Sequence, residues 1–172
     1  MNTTRHKVAV TGPESSGKTT LSKALSESLA LPLVPEFARV YLTLKHEAYN
    51  YDDLIYMARV QRFMEDLYLG TEHPSIICDT SMLDILVWSK VKYGRVDSTI
   101  EETINQRYSA FLLCKPDMPW ESDPLRENAD AQWDLYQLFL NYLQDHNLPF
   151  VELGGGESER LRISTEFVSA FC

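Results

Sequence analysis

A three-layer α/β/α domain built on a five-stranded parallel sheet is the fold class this 172-residue chain predicts. Three observations predict it. Five short runs read as strands, at 7–11, 32–34, 75–79, 109–114 and 149–153. Two of them, Ser75–Asp79 and Ala110–Cys114, are apolar on both faces, as buried parallel strands are. Helical stretches separate the runs, and strands alternating with helices give a parallel sheet covered on both sides. Finally, a glycine-containing turn lies directly between the first strand and the first helix.

That turn is Gly12-Pro13-Glu14-Ser15-Ser16-Gly17-Lys18-Thr19, following Lys7-Val8-Ala9-Val10-Thr11. It fits the phosphate-binding pattern G-x-x-x-x-G-K-[ST] in the strand–loop–helix setting that gives the pattern meaning. The sheet is therefore read as that of a P-loop NTPase. Glycines let the backbone turn tightly and aim its N–H groups at phosphate oxygens. Lys18 supplies a point charge for the β- and γ-phosphates, and the Thr19 hydroxyl is suited to Mg²⁺. Thr20 completes the phosphate-binding set, and the following helix presents its positive end to the same anion. ATP and Mg²⁺ are the expected cofactors.

The remaining elements follow in order. Leu21, Ala24, Leu25, Ser28 and Leu29 form a stripe on the first helix. A helix over 52–69 opens with Asp52-Asp53 and carries Leu54, Met57, Ala58, Met64 and Leu67 at helical spacing. Further helices are read at 81–93, 97–108, 130–146 and 157–171. Residues 1–172 are read as one domain, with no repeat or linker. Ligands of such sheets bind at the carboxyl ends of the strands, so the residues just after each strand are the candidates.

After the second strand stand Glu36 and, one turn on, Arg39. Glu36 is placed to orient and deprotonate an acceptor hydroxyl, or else is a first-turn acid that suits the helix dipole. The third strand ends in Asp79, which either holds the Mg²⁺ shell, caps the next helix, or does both. Asp84, further along, reads as a surface acid. After the fourth strand, prolines and polar residues from Lys115 to Arg126 mark a loop. Arg126 is the candidate lid arginine. Trp120 either stacks on an aromatic ring or packs on a helix. Gly154-Gly155-Gly156 either lets backbone approach a flat adenine, through Gly155, or is a plain strand-to-helix turn.

Sixteen basic against twenty-five acidic residues, a net charge of −9, argue against nucleic acid as a partner. A small-molecule substrate suits that balance. The cysteines, Cys78, Cys114 and Cys172, are isolated and suggest reduced thiols in the cytoplasm rather than zinc or disulfides. No signal-peptide core opens the chain, and no apolar run approaches the roughly 20 residues needed to span a membrane. A GTPase is disfavoured, because Asp79-Thr80-Ser81-Met82 lacks the glycine of D-x-x-G and no N-K-x-D is present. A kinase and a non-catalytic nucleotide-gated module both stay open at this point.

Taken together, Gly12–Thr19, Val34-Pro35-Glu36-Phe37-Ala38-Arg39, Ala58-Arg59-Val60-Gln61, Cys78-Asp79-Thr80, Val87-Trp88-Ser89 with Tyr93-Gly94, and Pro116–Trp120 through Asp123 to Arg126 resemble the ribosylnicotinamide kinase domain of NadR-type proteins. The resemblance covers nearly the whole chain. It implies a nucleoside-kinase-like fold and transfer of the ATP γ-phosphate to the 5′-hydroxyl of nicotinamide riboside. It also implies that Glu36 and Asp79 flank acceptor and metal, that Arg39, Trp120 and Asp123 lie on the substrate side, and that Arg126 belongs to the lid. The chain departs from that pattern after Asp79, where Ser81, Met82 and Asp84 stand, and after the lid arginine, where Asp130-Ala131-Gln132 stand.

Overall fold

The computed structural model describes residues 6–45, 48–70, 75–120 and 129–170. The elements run β1 (His6–Thr11), α1 (Lys18–Leu29), β2 (Leu33–Val34), α2 (Phe37–Lys45), α3 (Tyr51–Leu69), β3 (Ser75–Asp79), α4 (Met82–Tyr93), α5 (Ser98–Arg107), β4 (Ala110–Cys114), α6 (Gln132–Asp145), β5 (Phe150–Leu153) and α7 (Glu157–Val168). A 3₁₀ turn over Ala129–Ala131 leads into α6.

All five strands pair in parallel, in the order β2-β3-β1-β4-β5. β1 is thus central, with Val10 in register with Asp79 of β3 and with Leu112 of β4. Alternating side chains divide the strands between two cores. On one face, Val8, Val10, Ile77, Leu112 and Leu153 meet Leu21 and Leu25 of α1 and Val168 of α7. On the other, Ala9, Ile76, Cys78, Phe111 and Leu113 meet α3, α4, α5 and α6 through Met57, Leu83, Ile104 and Phe139. Three layers result, as the apolar runs require.

Four sequence readings are corrected. A helix over Phe37–Lys45, α2, stands where none was expected; it is short and amphipathic and buries no residue fully. Leu67 is 59% exposed rather than part of the buried stripe of α3, whose inward face is Leu54, Met57, Ala58, Gln61 and Glu65. On α1 it is Ser22, hydrogen-bonded to the Lys18 carbonyl, that is buried, while Ser28 faces solvent. Asp84 is buried, for reasons given below. Cys78 and Cys114 are buried free thiols, and burial pushes both upward in pKa, Cys114 to about 12.

Candidate functional site

The turn after β1 holds three residues in left-handed backbone, Gly12 (φ 136°), Ser15 (φ 55°) and Gly17 (φ 80°). At Gly12 a side chain is excluded twice over, since a Cβ would lie 2.7 Å from the Cys114 carbonyl oxygen. Lys18, the first residue of α1, donates to the carbonyl oxygens of Gly12 (2.8 Å) and Pro13 (2.7 Å), closing the loop on itself. The Ser16 hydroxyl donates to the same Pro13 carbonyl at 2.8 Å. From α6, the Gln132 amide donates to the Glu14 carbonyl at 2.7 Å.

A second clamp comes from Arg160 of α7, which the sequence reading passed over. Its guanidinium is buried and donates to the carbonyl oxygens of Ser16 (2.6 Å), Gly155 (2.9 Å) and Lys115 (3.0 Å), and it pairs with Asp117. One cation therefore ties the phosphate loop to the loops after β4 and β5. Asp117 also accepts from the Gly155 N–H at 2.8 Å. Gly155 has φ 78°, and a Cβ there would run into the Glu159 carboxylate. Its amide is thus engaged in the turn, and it does not line the large cavity described below.

Three carboxylates converge on Lys18 from the ends of β2, β3 and α4. Asp79 ends β3 beside β1, and the Ser22 hydroxyl donates to it at 3.4 Å. Burial pushes the Asp79 carboxyl up, while the Thr19 hydroxyl and the Lys18 ammonium hold it back. Asp79 leaves the capping of α4 to Ser81, whose hydroxyl accepts the Leu83 N–H at 3.2 Å. Between them Thr80 is held at φ 68°, a costly conformation for a β-branched residue, by a 3.0 Å bond from its N–H to the Val10 carbonyl.

Asp84, expected on the surface, instead turns back into the site. Its Oδ2 accepts from the Thr11 hydroxyl at 2.7 Å and from the Ser81 N–H and hydroxyl, both at 2.9 Å. This is a capping box, Ser81 with Asp84 three residues on, and it pulls the acid off the outer face of α4. Burial pushes Asp84 upward and Lys18 opposes the shift. Glu36 sits one residue before α2 and 3.7 Å from the Arg39 guanidinium. Burial raises its pKa, Lys18 lowers it, and Asp79 and Asp84 raise it again.

Glu36, Asp84 and Lys18 border one cavity of about 440 Å³, whereas Asp79 lies behind its wall and does not line it. Its floor is Glu14 to Thr20, and Glu36, Arg39, Thr80 and Asp84 stand at its waist. Leu42, Leu54, Met57, Ile85 and Trp88 of α2, α3 and α4 also line it, together with the polar Gln61, Tyr49 and Lys92. Met118 and Pro119 border the cavity, whereas neighbouring Trp120 does not. A smaller cavity of about 160 Å³ adjoins Gly17 and Thr20, between α1 and α7. Asp123 and Arg126 lie outside the described residues.

The oxygen donors Thr19, in the cavity floor, and Asp79, beside it, suit a hard cation such as Mg²⁺. Among the described residues no group of three or more His, Cys, Asp or Glu gathers into a dedicated metal site, so a cation there would draw most of its ligands from phosphate and water. Among the described residues no helix is long and apolar enough to cross a membrane.

Comparison with known proteins bears on this geometry. A family model described as an AAA domain matches residues 7–160. No curated protein matches the chain in sequence. Solved structures match in shape. A NadR protein in complex with NR superposes with a TM-score of 0.84 at 21% identity, over 97% of this chain and 51% of that one. Thymidylate kinase from Ehrlichia chaffeensis gives 0.70 at 14% identity, over 98% of this chain and 100% of that one. Deoxyadenosine kinase from M. mycoides gives 0.64 at 18% identity, over 95% of this chain and 99% of that one. The chain spans about half the length of the NadR protein it matches. At these identities the likeness establishes the fold, which is the parallel α/β/α P-loop fold of nucleoside and nucleotide kinases.

Proposed function

The chain belongs to the AAA-domain family, and from that membership and the shape of the cavity we propose that it is an ATP-dependent small-molecule kinase acting on the 5′-hydroxyl of nicotinamide riboside. One observation carries the reading. The phosphate loop, Glu36, Asp84 and the side chains of Leu42, Leu54, Met57 and Trp88 line one cavity of about 440 Å³. A triphosphate on the loop and a nucleoside against those apolar side chains would meet there. The choice of nicotinamide riboside rests on the motif resemblance and on the acids around the waist, which suit a cationic ring.

In this reading Lys18 leaves the Gly12 and Pro13 carbonyls for the β- and γ-phosphates. Thr19 and Asp79 hold Mg²⁺, which when bound neutralises phosphate charge. Thr20 and the small adjoining cavity take the base of ATP. Glu36 accepts the proton of the acceptor hydroxyl as its oxygen forms a bond to the γ-phosphorus and the bond to the ADP oxygen breaks. Arg39 orients Glu36. Phosphoryl transfer needs little covalent help from the protein, so positioning and charge are its main contributions. Arg126 in the lid and Trp120 and Asp123 on the substrate side remain part of the proposal.

The test is ADP release in the presence of Mg²⁺ with nicotinamide riboside, cytidine, uridine and adenosine offered in parallel. Turnover with nicotinamide riboside above the others supports the assignment. Preference for another riboside replaces the acceptor and keeps the kinase. ATP binding with no transfer to any of them leaves a nucleotide-gated binding module.

A further inference from the structure

We propose that Asp84 sets the acceptor class of this site: it admits an acceptor whose reacting end is a free hydroxyl and turns away one that already carries a phosphate, the reaction product included. This deepens the kinase reading and rests on it for the identity of the cavity as an acceptor site. The fold alone leaves the point open, because nucleoside and nucleotide kinases share it.

Asp84 is 6% exposed and borders the large cavity but not the small one. The two oxygens of its carboxylate have different surroundings. Oδ2 takes three donors, the Thr11 hydroxyl at 2.7 Å and the Ser81 N–H and hydroxyl, both at 2.9 Å. One of these comes from the end of β1 and two from the cap of α4, so the carboxylate is held in one orientation. Oδ1 receives no hydrogen bond among the described residues, and it is not closed off from solvent. The open oxygen is therefore the one presented to the cavity. Thr11 directly precedes Gly12 of the phosphate loop, and Trp88, one turn on from Asp84, lines the same cavity. Asp84 thus stands where the wall of α4 meets the loop.

An ionised carboxylate only accepts hydrogen bonds, and a phosphate dianion does the same. Neither can satisfy the other, and their like charges repel more strongly in a buried site than in water. An alcohol brings no charge and leaves Oδ1 to water. The cations lining the cavity are each engaged: Lys18 with the Gly12 and Pro13 carbonyls, Arg39 with Glu36, and Lys92 over the Tyr49 ring at 3.7 Å. Lys18 is also the charge assigned to the triphosphate. Against these three cations the lining holds four carboxylates, Glu14, Glu36, Asp84 and Glu157. A phosphate borne by the acceptor would meet an excess of negative charge, with Oδ1 of Asp84 as its fixed, unpaired member. After transfer, the newly made phosphate ester meets the same carboxylate, which favours its departure.

The experiment compares ligands that differ in that phosphate. Nicotinamide riboside, cytidine, uridine and adenosine are each titrated calorimetrically into the full chain beside their own 5′-mononucleotides. ADP without Mg²⁺ is present throughout, so the phosphate loop is occupied and no back-transfer can run. Burial raises the Asp84 pKa while Lys18 and the three donors oppose the rise, so the titrations are made at mildly alkaline pH, where the carboxyl is ionised. In at least one pair the parent is expected to bind the riboside about 10-fold or more tightly than the mononucleotide. In Asp84→Asn the three donors still require an oxygen at the Oδ2 position, which puts the new amide nitrogen, a donor, at the Oδ1 position. The preference in that pair is then expected to fall below about twofold or to invert. Asp84→Ala, which removes the charge and adds no donor, should shrink the preference without inverting it. A ratio cancels general damage to the fold, and the comparison in the parent needs no variant. Absence of a preference for the riboside in every pair, failure to bind included, overturns the inference, as does an unchanged ratio in Asp84→Asn or Asp84→Ala. Discrimination in binding with no ADP release in the turnover assay keeps the role of Asp84 and removes the kinase reading. Turnover of a riboside whose mononucleotide binds equally well does the reverse.

Discussion

Arg160 donates to the carbonyl oxygen of Ser16 at 2.6 Å, joining α7 to the phosphate loop across 144 residues of sequence. The same guanidinium satisfies two further carbonyls and Asp117, so its removal takes the donor from four acceptors at once, of which the Ser16 carbonyl is the buried one. Arg160→Ala is expected to destabilise the fold by about 1 to 3 kcal/mol, the cost of leaving a buried acceptor such as the Ser16 carbonyl without its donor. It should also weaken ATP binding, since the loop loses its outer clamp. Urea unfolding and nucleotide titration read the two effects, and an unchanged unfolding midpoint would contradict the clamp.

Lys18 and Glu36 should separate kinetically. Lys18→Ala removes the charge proposed to meet the phosphates and is expected to abolish measurable turnover. Glu36→Gln keeps the shape of the site, lowers kcat by about 10²-fold or more, and leaves ATP affinity near the parent value. Burial raises the Glu36 pKa, and a base must be ionised to act. The acidic limb of the kcat profile should therefore lie above the ordinary value of 4.5, with activity lost as pH falls through it. Equal turnover in Glu36→Gln and the parent would remove Glu36 from the mechanism.

Gly12→Ala tests the loop at its root. The new methyl would need φ 136° and would sit 2.7 Å from the Cys114 carbonyl oxygen, a backbone atom that cannot swing aside. A loss of about 2 kcal/mol or more is expected, together with loss of nucleotide binding. Gly94→Ala is the control, because φ is also positive there but no atom lies within 4 Å of the added carbon. It should cost less.

Asp53 gives a pH prediction with the opposite sign from the site carboxylates. It accepts from Lys45 (2.8 Å) and Tyr41 (2.5 Å), and it closes the capping box of α3 with Asn50. The Lys45 bond, then those of Tyr41 and Asn50, lower its pKa from 3.8 to about 2. A folded-state value below the unfolded one adds stability above pH 3.8 that is lost as pH falls towards 2. Asp53→Asn should therefore melt lower than the parent at pH 7, and the gap should narrow progressively below pH 4. A constant gap from pH 7 to pH 3 would rule out the ion pair as its source.

The sheet and the phosphate loop were legible because their signals are local: doubly apolar runs for β3 and β4, and fixed spacing for Gly12, Gly17 and Lys18. Asp79 was legible because a strand end next to β1 is a place the topology singles out. Asp84 was not, since three residues into a helix an acid ordinarily points to water. The available clue was Ser81 three positions earlier, the spacing of a capping box. Arg160 carries no local mark either; only the meeting of three distant loops gives a buried guanidinium enough acceptors.

The central position of β1 also bears on how the molecule breathes. The strand is flanked by β3 and β4 and lies between two apolar layers, and Val8, Ala9 and Val10 are wholly shielded from solvent. Their amides are expected to exchange hydrogen for deuterium only through global unfolding, as those of core strands do. The anion cradle thus springs from a buried central strand, so its entrance is already shaped before a nucleotide arrives and binding has little backbone freedom left to remove there.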